Sequence, residues 1–251
     1  MKQSRHIVHI AASAAFMLSG LGFGLLNDRR AEAVMSPPSS ASLSMFSDVG
    51  GTWQNAIDLP QLYISPQNLL MWLLLFALWA VVALDAVGQM LDPADPDPDS
   101  SPVWAPLVAT LVLGAIWPWL YRDLPLLSAL VAIGALAAAL FAATQARRRQ
   151  RPAISFLAGW TTGVVTAAMA GLVGSMFGLS IGEAAIMAIL PGAALGIAVQ
   201  AQIGPSIGFP AAMIWGFCGL AVTTMGTNPI IALAAIAGIS AMAIVLIHAA
   251  S

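Results

Sequence analysis

The chain has 251 residues, of which 59% are hydrophobic and 8% are charged, with a formal net charge of −2 and a mean hydropathy of +0.88. Soluble domains carry about a quarter charged residues because their surfaces face water, so this composition excludes an ordinary soluble domain. Nine cations are too few for the many phosphate contacts of nucleic-acid binding. A single cysteine, Cys218, excludes an internal disulfide or a cysteine-based metal site.

Apolar runs dominate the chain, and a helix of about 20 apolar residues crosses a bilayer. Charged residues, Pro and Gly separate the runs. The predicted spans are residues 7–26, 68–90, 104–121, 124–144, 154–177, 182–200, 206–224 and 229–248. The sequence therefore predicts an all-α polytopic transmembrane bundle of about eight helices, in contact with a lipid bilayer and with both termini on one side.

The first run, within residues 1–30, has two interpretations. Lys2 and Arg5 precede it, and Ala31-Glu32-Ala33 resembles the cleavage site of a secretory signal. However, the run is longer than the usual signal core of about 7–15 residues, and Asp28-Arg29-Arg30 would lie in the cleavage region. We expect a retained helix. Cleavage would instead leave about seven helices and an external N-terminus.

Positive charge is distributed unevenly between the two predicted sides. Six of the cations lie on the side of the termini, at Lys2, Arg5 and in the cluster Arg147–Arg151, against Arg29, Arg30 and Arg122 on the other. Cytoplasmic loops carry the excess of Lys and Arg. We therefore expect cytoplasmic termini.

Two connections are long. Residues 31–66 form a predicted extracytoplasmic loop, whose Trp53, Leu59, Leu62 and Tyr63 suggest that part of it folds back over the helix ends. Residues 91–102 are rich in Pro and Asp, which is typical of a solvated linker. A calcium loop is the alternative, but the alternating prolines fit its spacing poorly.

Small residues recur at four-residue spacing in the last four runs. Such pairs allow helix backbones to approach closely in a membrane. They predict a compact second half, and the pairs are Gly174 with Gly178, Gly192 with Gly196, Ala212 with Gly216, and Ala234 with Gly238.

Asp85 and Glu183 are the acidic residues of interest in the apolar runs. An intramembrane carboxylate suggests a functional site, but Asp85 lies about one turn from the end of its run, and we prefer an interfacial side chain beside Gln89. Glu183 opens a helix and is expected to cap it. We expect no buried base or second acid beside either, which argues against a proton relay or a coupled-ion transporter.

The sequence contains no recognisable motif for metal binding or for catalysis. His6, His9 and His248 are expected at the membrane surface, with ligation of a tetrapyrrole metal as the alternative. No Ser-His-Asp set, phosphate loop or metal-ligand cluster is recognisable. We predict no metal site and no enzymatic activity.

Aromatic residues concentrate in the second to fifth runs. Trp104, Trp119 and Tyr121 lie near run ends, as expected of interfacial belts. Trp79 and Trp160 lie further inside. A cavity lined by such side chains would suit a flat hydrophobic ligand.

Three segments carry a family resemblance. Gly114-Ala-Ile-Trp117-Pro118-Trp119-Leu-Tyr121 resembles an Asn-x-x-Trp-Ser-Pro-x-Phe-Phe motif, Phe156-Leu-Ala-Gly-Trp160 resembles a Tyr-x-x-Trp segment, and Tyr63-Ile-Ser-Pro66 resembles a Thr-Pro helix entry. In this order they resemble the TspO/MBR family, the tryptophan-rich sensory proteins related to the mitochondrial translocator protein, especially its longer bacterial members. Gly114 and Ala168 stand where the family motifs have Asn.

The resemblance implies a TspO-like five-helix core at residues 67–200, followed by two transmembrane helices at 201–251. It implies a ligand site at Trp79, Trp117, Pro118 and Trp160, and a hydrophobic ligand such as a porphyrin, another tetrapyrrole or a sterol. The expected function is a non-catalytic receptor or regulator in a bacterial inner membrane. Alternatives are a structural accessory subunit, associated with other membrane subunits or a second copy, and a secondary transporter.

Overall fold

The structure, a computed structural model, describes residues 2–35, 59–66, 68–91, 102–121, 123–147, 151–226 and 228–250. Over these ranges it is helical, with no strand. Most of the predicted loop, at 36–58, and most of the predicted linker, at 92–101, lie outside the described residues. The all-α prediction is confirmed.

The helices follow the predicted apolar runs. Six of them, α1, α3, α5, α6, α7 and α9, are long and apolar enough to cross a membrane. The helices are α1 (Lys2–Met35), α2 (Gln61–Ile64), α3 (Leu69–Leu91), α4 (Trp104–Leu120), α5 (Pro125–Ala146), α6 (Pro152–Phe177), α7 (Ile181–Ile203), α8 (Gly208–Thr224) and α9 (Pro229–Ala250). The protein is therefore a multi-pass helical membrane protein.

Helices α4 and α8 are apolar but have 17 residues each. At about 1.5 Å per residue this gives about 25 Å, near the lower limit for a span. Both pack against longer helices, α4 against α5 and α8 against α9. Each of the eight predicted apolar runs forms a helix. α1 continues to Met35, beyond the predicted end at residue 26.

The central helix is α6, which contacts α3, α5, α7 and α8. Its threonines suit this buried position because their hydroxyls donate to backbone carbonyls of the same helix. Thr161 donates to the carbonyl of Leu157 and Thr162 to that of Ala158, both at 2.8 Å. Such bonds allow a polar side chain to be buried without another partner.

Small residues bring the later helices close together. A Cβ on Gly192 would lie 3.1 Å from Thr166, and one on Gly238 would lie 2.9 Å from the Phe217 ring. The predicted compact packing is confirmed at these positions. Gly178 differs, because its φ of 63° ends α6 in a left-handed cap and nothing lies near it.

The boundary predicted at residue 200 does not separate two packing units. α7 continues through it to Ile203, and α8 packs directly against α6. A Cβ on Gly159 of α6 would collide with the backbone carbonyl of Phe209 in α8. The last two helices therefore share the core of the preceding five.

Side-chain contacts at the helix ends show which ends lie together. Arg5 lies over the Trp104 ring at 5.3 Å, and Arg147 donates to the carbonyl of Gln202 at 3.4 Å. These groups mark the N-terminal end of the bundle, defined as the end where α1 begins. The start of α1 and Arg147 thus share one side, as predicted, and its cytoplasmic location stays a prediction.

α1 packs across α3 and α4 through small residues. A Cβ on Gly20 would lie 3.0 Å from Trp79, and one on Gly24 would lie 3.1 Å from Trp72. Ser19 donates to the carbonyl of Ala115 in α4 at 2.5 Å. The retention of α1 stays a prediction.

Residues 59–66, including α2, place the Tyr63 side chain between α6 and α8. The Tyr63 ring lies 3.2 Å from a Cβ built on Gly163 and 3.0 Å from one built on Gly216. Asn27 of α1 donates to the Ser65 hydroxyl at 3.1 Å. The segment folds back as expected, and it enters the bundle because two facing glycines leave room for the tyrosine.

Candidate functional site

The candidate site is a cavity between α1, α4, α5 and α6. Trp117 of α4 and Trp160 of α6 both line it, so the structure brings together two of the four ligand-site residues implied by the resemblance. The cavity has a volume of about 20 Å³ and a mainly apolar wall. Its walls are Phe16, Thr110, Gly114, Trp117, Ala132, Ala135, Leu157, Trp160, Thr161, Val164 and Val165.

The indole nitrogens are the notable polar atoms of this region. Trp117 and Trp160 are only 3% and 6% exposed. Neither indole N–H has a hydrogen-bond partner among the described residues, and the same holds for Trp79 and for the Ser13 hydroxyl. A buried donor without a partner is unusual in proteins and calls for an explanation such as a bound molecule or water.

The hydroxyls of the cavity wall are already engaged. Thr110 donates to the carbonyl of Pro106 at 2.9 Å, and Thr161 donates to that of Leu157 at 2.8 Å. Trp side chains are donors only. The unpartnered donors of this region are therefore the indole N–H groups, and a molecule that reached them would need to supply acceptors.

Phe16 closes the cavity from α1. Its ring meets that of Trp160 edge to face, with 5.8 Å between centroids. A Cβ built on Gly114 would lie 3.0 Å from the same ring. Gly114, which stands where the family motif has Asn, therefore leaves the space that Phe16 occupies.

Sequence reasoning did not identify Phe16. Its position in the first run is the signal that could have identified it. His9, Phe16 and Phe23 recur every seven residues and so share one helix face. All three are buried.

Trp79 and Pro118 are buried but lie outside the cavity wall. Trp79 packs on Gly20 of α1 and meets the ring of Phe76 edge to face at 5.5 Å. Pro118 is internal to α4. These side chains support the helices around the cavity rather than facing it.

The size of the cavity limits what it holds in this conformation. About 20 Å³ accommodates a water-sized molecule, whereas sites for small organic ligands measure about 300–1,000 Å³. A tetrapyrrole would enter only if Phe16, and the part of α1 that carries it, moved away from Trp160.

Asp85 forms a second polar centre, close to the N-terminal end of the bundle. Arg151, at the start of α6, donates from Nε to Oδ1 at 2.9 Å and from Nη2 to Oδ2 at 2.5 Å. Both side chains are 8% exposed. This bidentate pair joins α3 to α6.

One prediction is wrong: Asp85 does have a buried base beside it, because Arg151 at the start of α6 points toward α3. Arg151 belongs to the cluster 147–151 that was expected on the cytoplasmic side. The sequence-based argument against a transporter thus loses its premise. The interfacial position of Asp85 stays a prediction.

His9 of α1 completes this centre. Its Nε2 lies 3.7 Å from Oδ2 of Asp85, and its side chain is 6% exposed. His9 is therefore buried, contrary to the expectation of a surface histidine, whereas His248 is exposed and bonds the carbonyl of Ile244. The described part of the chain holds no group of three His, Cys, Asp or Glu side chains that could bind a metal.

Glu183 has the predicted capping role. Ser180 is the N-cap of α7, and its backbone N–H donates to the Glu183 carboxylate at 2.8 Å while the Glu183 N–H returns a bond to the Ser180 hydroxyl. This capping box stabilises the helix start.

No known protein family, curated protein or solved structure matches this chain. The resemblance to the TspO/MBR family stays a prediction.

Proposed function

We propose that this protein is a non-catalytic membrane receptor or regulator that binds a flat hydrophobic ligand, of the tetrapyrrole type, between α1, α4 and α6. The observation that carries the proposal is the pair Trp117 and Trp160. These side chains come from different helices and line one cavity, and the buried indole N–H of each has no partner among the described residues.

The chemistry of the wall fits such a ligand. Indole faces stack on planar rings, and a favourable aromatic contact contributes about 0.5–1.5 kcal/mol beyond area burial. The indole N–H groups would donate to carboxylate or carbonyl oxygens at the ligand's edge. Alanines of α5, at Ala132 and Ala135, leave the opposite wall flat.

Binding requires the cavity to open. Phe16 is the side chain in the way, and it lies on the peripheral helix α1 rather than on the central helix α6. The ligand would therefore replace the Phe16 ring against Trp160.

Titration of protoporphyrin, followed by quenching of tryptophan fluorescence, tests the proposal. Trp117→Ala and Trp160→Ala should each weaken binding about tenfold, the loss of about 1.4 kcal/mol of contact. Trp104→Ala is the matched control, because Trp104 lies at the bundle end and donates to the carbonyl of Arg5. Its affinity should equal that of the parent protein.

Absence of binding to the parent protein would reject the receptor proposal. Binding that is unchanged in both cavity variants would place the ligand elsewhere.

A structural accessory subunit is the second candidate, favoured by the small cavity. A cavity of about 20 Å³ behind Phe16 is typical of a packed helix interface rather than of an open binding site. Apolar side chains such as Leu84 and Leu130, 70% and 68% exposed, would face lipid or neighbouring subunits. Isolation in mild detergent at a fixed stoichiometry with other membrane proteins, without pigment absorbance of its own, would favour this candidate.

A further inference from the structure

The group formed by His9, Asp85 and Arg151 joins three helices at one point. Arg151 neutralises Asp85 through two hydrogen bonds. With neutral His9, the group has no net charge. Protonation of His9 would give it one excess positive charge, 3.7 Å from a carboxylate that is already paired.

Among the described residues, the surroundings supply no second anion. On α1 the neighbouring titratable groups are His6, one turn nearer the N-terminus, and Arg5, which lies over Trp104 of α4. Asp85 is the acidic group that α3 presents, and α6 presents Arg151. Arg147 of α5 is directed at the carbonyl of Gln202. Among the described residues at this end, Asp85 is thus the anion available to a protonated His9.

The register of α1 connects this group to the cavity. His9 and Phe16 are two turns apart on the same face, since two turns span about 7.2 residues. Between them lies Ser13, which is 1% exposed and whose hydroxyl has no partner among the described residues. A displacement of α1 at His9 is transmitted along the helix to Phe16, because the helix is a rigid rod over this distance.

We propose that His9, Asp85 and Arg151 form a proton-binding site, and that proton uptake at His9 releases α1 from α3 and α6 and so opens the cavity behind Phe16. The movement of α1 is independent of any ligand, whereas its effect on binding rests on the proposed function. Nothing is oxidised or reduced: one proton passes from bulk water to the His9 imidazole and returns when the site closes.

The direction of the movement follows from electrostatics. A buried ion is tolerated when it is paired and destabilising when it is not. The carboxylate of Asp85 is shared with Arg151, so a protonated His9 lacks full compensation and moves toward water at the nearby N-terminal end. Phe16 then withdraws from Trp160. Loss of the proton restores the docked helix.

Pulsed electron spin resonance between nitroxide labels tests the movement. Leu18→Cys on α1 and Leu130→Cys on α5 are suitable, since each side chain is 68% exposed, in a Cys218→Ser background. The label distance should change by a few ångströms between about pH 8 and about pH 5, the range in which histidine titrates. The change should disappear in His9→Gln.

Labels at Leu130→Cys and Leu233→Cys, on α5 and α9, form the control pair and should keep one distance at both pH values. If the α1 distance does not change with pH, or if it changes equally in His9→Gln, the proposal is wrong. His9→Asn is the second variant, to be used if His9→Gln does not accumulate in the membrane.

Protoporphyrin titrations at the same two pH values form a separate arm. The parent protein should bind several-fold more tightly at the lower pH relative to His9→Gln, a comparison that cancels protonation of the porphyrin itself. A pH-dependent distance without porphyrin binding would overturn the proposed function and support the proton site. Porphyrin binding without a His9-dependent distance change would support the proposed function and overturn the proton site.

Discussion

Phe16 and Trp160 meet edge to face, with 5.8 Å between ring centroids and planes inclined by 84°. The first comes from a helix at the edge of the bundle and the second from its central helix. This contact decides whether the tryptophan-lined space is closed or open. The contact also distinguishes the two candidate functions. A receptor must break it to admit its ligand, whereas in a structural subunit the contact stays intact.

Phe16→Ala should make the cavity easier to open, because α1 loses its ring contact with Trp160. Loss of a buried Phe destabilises a protein by about 3–5 kcal/mol, so the melting temperature in detergent should fall while protoporphyrin affinity rises. Phe23→Ala is the matched control, because Phe23 lies on the same face of α1 but meets Trp119 at 5.6 Å instead. A loss of stability without tighter binding in Phe16→Ala would indicate a purely structural role.

Trp160→Phe should show what the indole N–H contributes. The substitution keeps an aromatic face and removes the donor that has no partner in the described structure. Without ligand, the variant should be as stable as the parent or more stable, because an unsatisfied buried donor costs about 1–3 kcal/mol. Binding of a ligand with edge carboxylates should weaken, whereas equal affinity would show that the N–H does not contact the ligand.

Asp85 and Arg151 should behave as a coupled pair. Asp85→Asn or Arg151→Gln alone leaves one buried charge and should destabilise the protein by about 3–5 kcal/mol. The double variant Asp85→Leu with Arg151→Met should recover most of that loss, since apolar replacement of a buried pair is often neutral. Melting temperatures of the single and double variants provide the test, and additive losses would contradict the pairing.

Gly163→Ala and Gly216→Ala should dislodge the inserted segment. Each new methyl would press on the Tyr63 ring, at 3.2 Å and 3.0 Å respectively, and overpacking costs about 1–3 kcal/mol. Gly22→Ala is the control, because no described residue lies within 4 Å of a Cβ built there and Ala favours a helix by about 1 kcal/mol over Gly. Protease cleavage near residue 60 should be faster in the first two variants only.

The cation distribution predicts which side of the bundle is cytoplasmic. Arg147→Cys, in a Cys218→Ser background, should react with an impermeant thiol reagent only when the cytoplasmic face is accessible. Reaction from the periplasmic side of intact cells would reverse the topology. Intact mass addresses the N-terminus: a mature chain that begins near Val34 would contradict retention of α1.

The sequence was informative where one physical requirement dominates. The apolar runs predicted the six long helices and the two shorter ones, α4 and α8, because a bilayer demands uninterrupted apolar length. Ser180 with Glu183 identified a helix start because capping is local. Trp117 and Trp160 were associated through a motif resemblance; both line one cavity, and their role in a ligand site stays a prediction.

Contacts between distant segments could not be predicted in this way. Asp85 and Arg151 are separated by 66 residues, and a cation next to a run of arginines resembles a solvated cluster. Phe16 is an apolar residue among many, and its role depends on the space left by Gly114. The insertion of Tyr63 depends likewise on two glycines that belong to different helices.

The position of residues 59–66 has a consequence for how the chain is assembled during synthesis. The Tyr63 side chain lies between α6 and α8, and Asn68, just after this segment, donates to the Thr223 hydroxyl, 155 residues further along the chain. When this segment leaves the ribosome, neither of these helices has been made. At about 5–20 residues per second, about 7–30 seconds pass before α8 emerges. The segment must therefore wait at the membrane surface, and the last helices to be inserted complete the fold of a segment that precedes them.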